Sequence, residues 1–134
     1  MPIQHINPVA IHNPAVYTHA VGVSDATVWY LAGQVAFDKD GKLVGEGDLA
    51  AQLEQSMHNL RAILADINAD LSQIVKLTIY IVDYEMERDL PLIGKMLTTH
   101  FDNNHPPANT LIGVQTLARP GLRAEIEAIV AVEN

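Results

Sequence analysis

Asp48-Leu49-Ala50-Ala51-Gln52-Leu53-Glu54-Gln55-Ser56-Met57-His58-Asn59-Leu60-Arg61-Ala62-Ile63-Leu64, followed by Ile74-Val75-Lys76-Leu77-Thr78-Ile79-Tyr80-Ile81-Val82, decides the fold. In the first stretch Leu49, Leu53, Met57, Leu60 and Leu64 recur at three- and four-residue steps, which gives a helix one apolar stripe. Asp48 stands where a carboxylate can accept from an unpaired amide of the first turn. Gln52, Glu54, Gln55 and Arg61 mark the wet side, and Asn68 takes the left-handed turn beyond the end. The second stretch changes period. Val75, Leu77, Ile79 and Ile81 fall on one face and Lys76, Thr78 and Tyr80 on the other, as in a half-buried strand.

Working outward, residues 17–23 and 27–36 read as strands separated by a turn at Ser24-Asp25. Asp38-Lys39-Asp40-Gly41 reads as a hairpin turn into a short strand at 42–44. Residues 1–14 read as irregular, because Pro2, Pro8 and Pro14 interrupt regular structure. A second helix is predicted over 86–99, where Pro91 fits only near the helix start. Residues 103–107 form a loop, and 108–116 and 124–132 are the last strands. The order β-β-β-α-β-α-β-β predicts one α+β domain over 1–134, a mixed sheet with two helices packed on one face. On the last strand Ile126, Ala128, Val130 and Val132 share a face, and Glu125, Glu127, Ile129 and Ala131 share the other. The second face is half charged and half apolar, which suits assembly with further copies.

The 134 residues fit one domain with a real core, and 49% hydrophobic with 18% charged residues is a globular composition. With no cysteine, a disulfide framework and a thiol nucleophile are excluded. The N-terminal residues show neither a basic nor an apolar leader region, so a cytoplasmic protein is expected. No apolar run is long enough to span a membrane. A formal net charge of −8 argues against nucleic acid as a partner.

Ala32-Gly33-Gln34 after an apolar strand, the helix with Gln52, Ser56, Asn59 and Leu60, Asp70 to Lys76, Pro107-Ala108, and Glu125-Ile126-Glu127-Ala128-Ile129 occur in an order similar to that of the YjgF/RidA (reactive-intermediate deaminase) family. The similarity runs from about Tyr17 to Val132. The resemblance implies a chorismate-mutase-like homotrimer with a small-molecule cleft between neighbouring subunits and no cofactor. In members that deaminate imines, a tyrosine matches Tyr17, a serine falls at Ala32 beside Gly33, and a carboxylate-binding arginine falls at Asn109. A cysteine falls at Leu111, and a water-positioning glutamate matches Glu125. The chain thus resembles a branch that lacks the arginine.

From the residues alone, Glu125 and Glu127 are two solvated strand carboxylates on one face. The resemblance makes Glu125 the candidate catalytic group, and Glu127 stays structural. Tyr17, Ala32, Gly33, Asn109 and Leu111 become candidate substrate-binding positions. His5, His12, His19, His100 and His105 read as solvated histidines rather than metal ligands, so no metal is expected. Two functions remain open. One is cofactor-independent hydrolysis of an enamine, imine or related C–N electrophile, and the other is a non-catalytic trimeric module that binds a metabolite or protein partner. Ribonuclease activity is not expected.

Overall fold

The computed structural model describes residues 2–134. Among them the chain forms strands β1 (Ile3–Ile6), β2 (Ala20–Val23) and β3 (Ala26–Tyr30), helix α1 (Leu49–Asp66), and strand β4 (Ile74–Val82) after a single 3-10 turn at Leu71–Gln73. Helix α2 (Met86–His100) and strands β5 (Ala108–Val114) and β6 (Ala124–Glu133) complete it. The main sheet has the order β3-β6-β4-β5, with β4 and β5 parallel and the other pairs antiparallel. This is the expected α+β arrangement of two helices on one face of a mixed sheet.

The expected stripe of α1 is buried throughout, and Asp48 caps the helix by accepting from Ala51 N at 3.1 Å. Each such buried side chain contributes roughly 1.5–3 kcal/mol. Leu77, Ile79 and Ile81 of β4 and Ala124, Ile126, Ala128 and Val130 of β6 meet the stripe from the sheet side. Asn68 has φ 56°, the left-handed turn expected after α1.

Several boundaries differ from the sequence reading. Residues 3–6 form a strand, because β1 pairs antiparallel with β2 in a separate two-stranded sheet that none of the flanking prolines enters. The strand predicted from 17 begins only at Ala20, and that predicted over 27–36 ends at Tyr30. Residues 42–44 contribute only the isolated bridge Leu43 to Phe37. Pro91 lies well inside α2 rather than near its start. It removes one helical donor, and the first turn is secured independently. Asp89, fully buried, accepts from Glu85 N at 2.9 Å and from Arg88 and Arg123, and the Arg88 hydrogen bond above all holds its pKa down to about 2.

Gln52 belongs to the interior, not to the wet side. It is fully buried, donating to Gly45 O at 3.1 Å and Gly121 O at 2.9 Å and accepting from Arg123 N at 2.7 Å. One amide therefore ties α1 to the loops entering α1 and β6. Gln52→Leu keeps the volume but strands two carbonyls and one N–H, at about 1–3 kcal/mol for a buried unpaired group. We expect a loss of about 3 kcal/mol or more in urea unfolding, and a loss below 1 kcal/mol would show that water replaces the amide.

Candidate functional site

Strand alternation sends Glu125 and Glu127 to the helix-free face, paired with Tyr80 and Thr78 of β4. Tyr80 donates its phenolic proton to Glu127 Oε1 at 2.6 Å, so Glu127 is engaged and Glu125 is left for other partners. Burial first, and then the charge of Glu127, raise the Glu125 pKa above the ordinary carboxylate value.

Glu125 rests on Gly33. A Cβ at position 33 would lie 2.2 Å from Glu125 Oε2 and 2.8 Å from its Cγ, so only glycine leaves the carboxylate where it is. The segment around Gly33 leaves the sheet after Tyr30 but stays pinned. Gln34 N donates to Ile126 O at 2.8 Å and accepts back through its carbonyl from Ile126 N at 3.0 Å. The Asn59 side chain of α1 donates to Val35 O at 3.0 Å and Phe37 O at 2.9 Å. Ala32 is exposed, and its carbonyl accepts from Gln34 Nε2 at 3.2 Å. A groove of about 620 Å³ runs past Gly33, Gln34, His58 and Asn59.

The remaining candidates lie on the other side of the sheet. Asn109 and Leu111 of β5 are in register with Leu77 and Ile79, whose side chains face the helices. Tyr17 reaches them because Thr18 is fastened to the loop before β5, its N–H donating to Pro107 O at 3.1 Å and its hydroxyl to Pro106 O at 2.5 Å. Tyr17, Asn109 and Leu111 line a cavity of about 380 Å³ with Val16, Ile93 and Gly94, and none of its lining residues is charged. Asn109 Oδ1 is buried with no hydrogen-bond partner among the described residues.

Among the described residues no arginine lines the cavity at Asn109, and Arg88 is held by Asp83 and Asp89. Arg123 is spent on Val82 O and Asp89, Arg61 on His100 Nδ1, and Arg119 lies over the Phe37 ring. The structure thus gathers Tyr17, Asn109 and Leu111 on the helix side and Gly33 with Glu125 on the helix-free side. Ala32 is the neighbour of Gly33, and its methyl group offers no polar contact.

His12 and His105 are exposed, as expected, and His5, His19 and His100 are half-buried; four of them also pair with one another. His12 and His19 pack edge to face with ring centroids 4.8 Å apart, and His5 and His105 do so at 5.2 Å. His12 Nε2 also lies 2.6 Å from the Tyr17 hydroxyl, a contact missed because the 7–19 loop has no periodicity to foretell it. Among the described residues no three His, Asp or Glu side chains gather as a metal-ligand set, and no helix is long and apolar enough to cross a membrane.

Comparison with known proteins places the chain among relatives. The profile of the family described as Endoribonuclease L-PSP matches residues 8–132. Protein DfrA of Myxococcus xanthus is 34% identical over 113 residues, 84% of this chain and 82% of that one. The 2-iminobutanoate/2-iminopropanoate deaminase of Rattus norvegicus is 33% identical over 122 residues, 91% of this chain and 82% of that one. The crystal structure of YyfB of Yersinia pestis, a protein of the conserved Rid family, superposes with a TM-score of 0.92 at 35% identity, covering 98% of this chain and 100% of that one. In fold, in element order and in sequence over nearly its whole length, this chain belongs to the Endoribonuclease L-PSP family, the YjgF/RidA family, with its chorismate-mutase-like fold.

Proposed function

We propose that the protein hydrolyses a small enamine, imine or related C–N electrophile in a cleft between subunits of a homotrimer. The observation that carries this reading is the seating of Glu125 on Gly33, with its pKa raised. Rat and human relatives named 2-iminobutanoate/2-iminopropanoate deaminases support the reaction type. Glu125 accepts a proton from water as the water oxygen bonds to the C=N carbon. That proton passes to nitrogen to give the carbinolamine, the carbinolamine's hydroxyl proton then passes through Glu125 to the amine as the C–N bond breaks and the C=O bond forms, and a carbonyl compound and ammonia leave. No cofactor takes part.

The two-sided placement of the candidates supports assembly with further copies, which we read as a trimer. Within one chain a small ligand cannot touch both Asn109 on the helix side and Glu125 on the other, so a second copy has to complete the cleft. The helix-free face carries Val28, Tyr30 and Ile112 as exposed apolar residues around the two glutamates, a surface suited to burial between copies. A second reading, a non-catalytic trimeric module, is favoured by the uncharged lining at Asn109 and the methyl group of Ala32. RNA cleavage, the activity in the family's description, is opposed by the net charge of −8.

Three outcomes test this. Sedimentation at micromolar concentration gives a species three times the 14.6 kDa chain mass, and a clean monomer removes the shared cleft. Ammonia release from a 2-imino acid generated in situ is slow in the wild type, because a charge-assisted bond worth about 1.5–3 kcal/mol is missing at Asn109. Asn109→Arg then tightens carboxylate binding about tenfold or more, and adding Glu125→Ala abolishes any turnover gained. Wild-type turnover as fast as that of an arginine-bearing relative would show that another residue clamps the carboxylate.

The third outcome concerns pH. Because the folded-state pKa of Glu125 is raised, its contribution to stability is complete below the ordinary value of 4.5 and is lost as pH rises through the raised one. Glu125→Gln therefore melts above the wild type at about pH 7 and converges with it at about pH 4. Calorimetry showing an equal offset at both pH values would contradict the raised pKa.

A further inference from the structure

Tyr17 lines the Asn109 cavity, and its hydroxyl is already engaged. It lies 2.6 Å from His12 Nε2. A phenol is a stronger acid than the N–H of a neutral imidazole, so we assign Tyr17 as the donor and His12 Nε2 as the acceptor, with the imidazole proton on Nδ1. The surrounding loop keeps the ring in place. His19 Nε2 is 2.8 Å from the His12 carbonyl oxygen, and since a carbonyl only accepts, His19 donates. The His19 backbone N–H donates to Asn7 Oδ1 at 2.8 Å. The His19 ring packs edge to face on both partners, with centroids 4.8 Å from His12 and 5.4 Å from Tyr17.

A phenol whose proton is committed in this way presents only lone pairs to a ligand. The cavity beyond it has apolar walls at Val16, Ile93 and Leu111 and no charged residue of its own chain, so on this side of the cleft hydrogen bonds rather than net charge decide what is kept. Asn109 Oδ1 is buried with no hydrogen-bond partner among the described residues, so the amide can serve a ligand carbonyl or N–H. We propose that His12 is a positioning residue that turns Tyr17 into an obligate acceptor, so that the cavity selects small neutral molecules with an N–H group beside an apolar body, such as cyclic amides, over their oxygen counterparts.

The proposal rests on the reading above that the Tyr17–Asn109 cavity takes the ligand, and the experiment separates the two. The probes are 2-pyrrolidinone and γ-butyrolactone, nearly isosteric rings that differ in N–H against O. Binding is followed by NMR shifts of the Asn109 side-chain amide in wild type, His12→Phe, Tyr17→Phe and the double variant. In the wild type the lactam binds about fivefold tighter than the lactone, the worth of one neutral hydrogen bond. The preference is lost in either single variant, and the double variant loses no more, because the two residues act as one unit. Ring ¹⁵N shifts of wild-type His12 provide a readout independent of any variant's folding, with Nε2 unprotonated and shifting in Tyr17→Phe. A preference that survives in His12→Phe but not in Tyr17→Phe, or a protonated Nε2, overturns the role of His12 and leaves the cavity reading intact. Failure of both probes to perturb Asn109 overturns the cavity reading itself.

Discussion

The period-two alternation of β6 is the constraint on which the rest of the molecule depends. This strand lies between β3 and β4, so both of its edges are hydrogen-bonded and its register cannot slip alone. Ala124, Ile126, Ala128 and Val130 are thereby fixed beneath the helices, and Glu125, Glu127 and Ile129 are fixed on the opposite face. Core and candidate chemistry are two sides of one ribbon. A one-residue shift would bury the carboxylates and expose the core together.

The strongly periodic elements were legible in the sequence for this reason. The α1 stripe, the β4 alternation and the Asp48 cap each report a local rule that tertiary structure left standing. Where the reading failed, a non-local partner had overruled the local pattern. Gln52 looks solvated by type and is buried because its amide satisfies three backbone groups at once. Residues 31–36 look like a continuing strand, yet only Leu31 and Gln34 keep backbone bonds to β6, and Asn59 takes the Val35 carbonyl from a helix two dozen residues away. Residues 3–6 are too short a strand to signal themselves, and their pairing with β2 supplies the missing hydrogen bonds.

The candidate site was legible only through resemblance to a family. Nothing in the spacing of Tyr17, Gly33, Asn109 and Glu125 says that they fall into two groups on opposite faces of a sheet. That division came from register, which is a property of paired strands and not of any one of them. The loop of residues 7–19 was less legible still. Its order comes from side-chain contacts between His12, Tyr17 and His19 and a backbone bond to Asn7, none of which carries a period.

The close approach of Glu125 to Gly33 also bears on how the sequence can change. Because the carboxylate occupies the volume of the absent Cβ, the two positions cannot vary independently. Any side chain gained at 33 is tolerated only with a shorter or redirected one at 125, and a change at 125 first frees 33 from being glycine. Drift across this pair is therefore coupled: a lineage that has lost the glycine no longer has room for the acid in its present position.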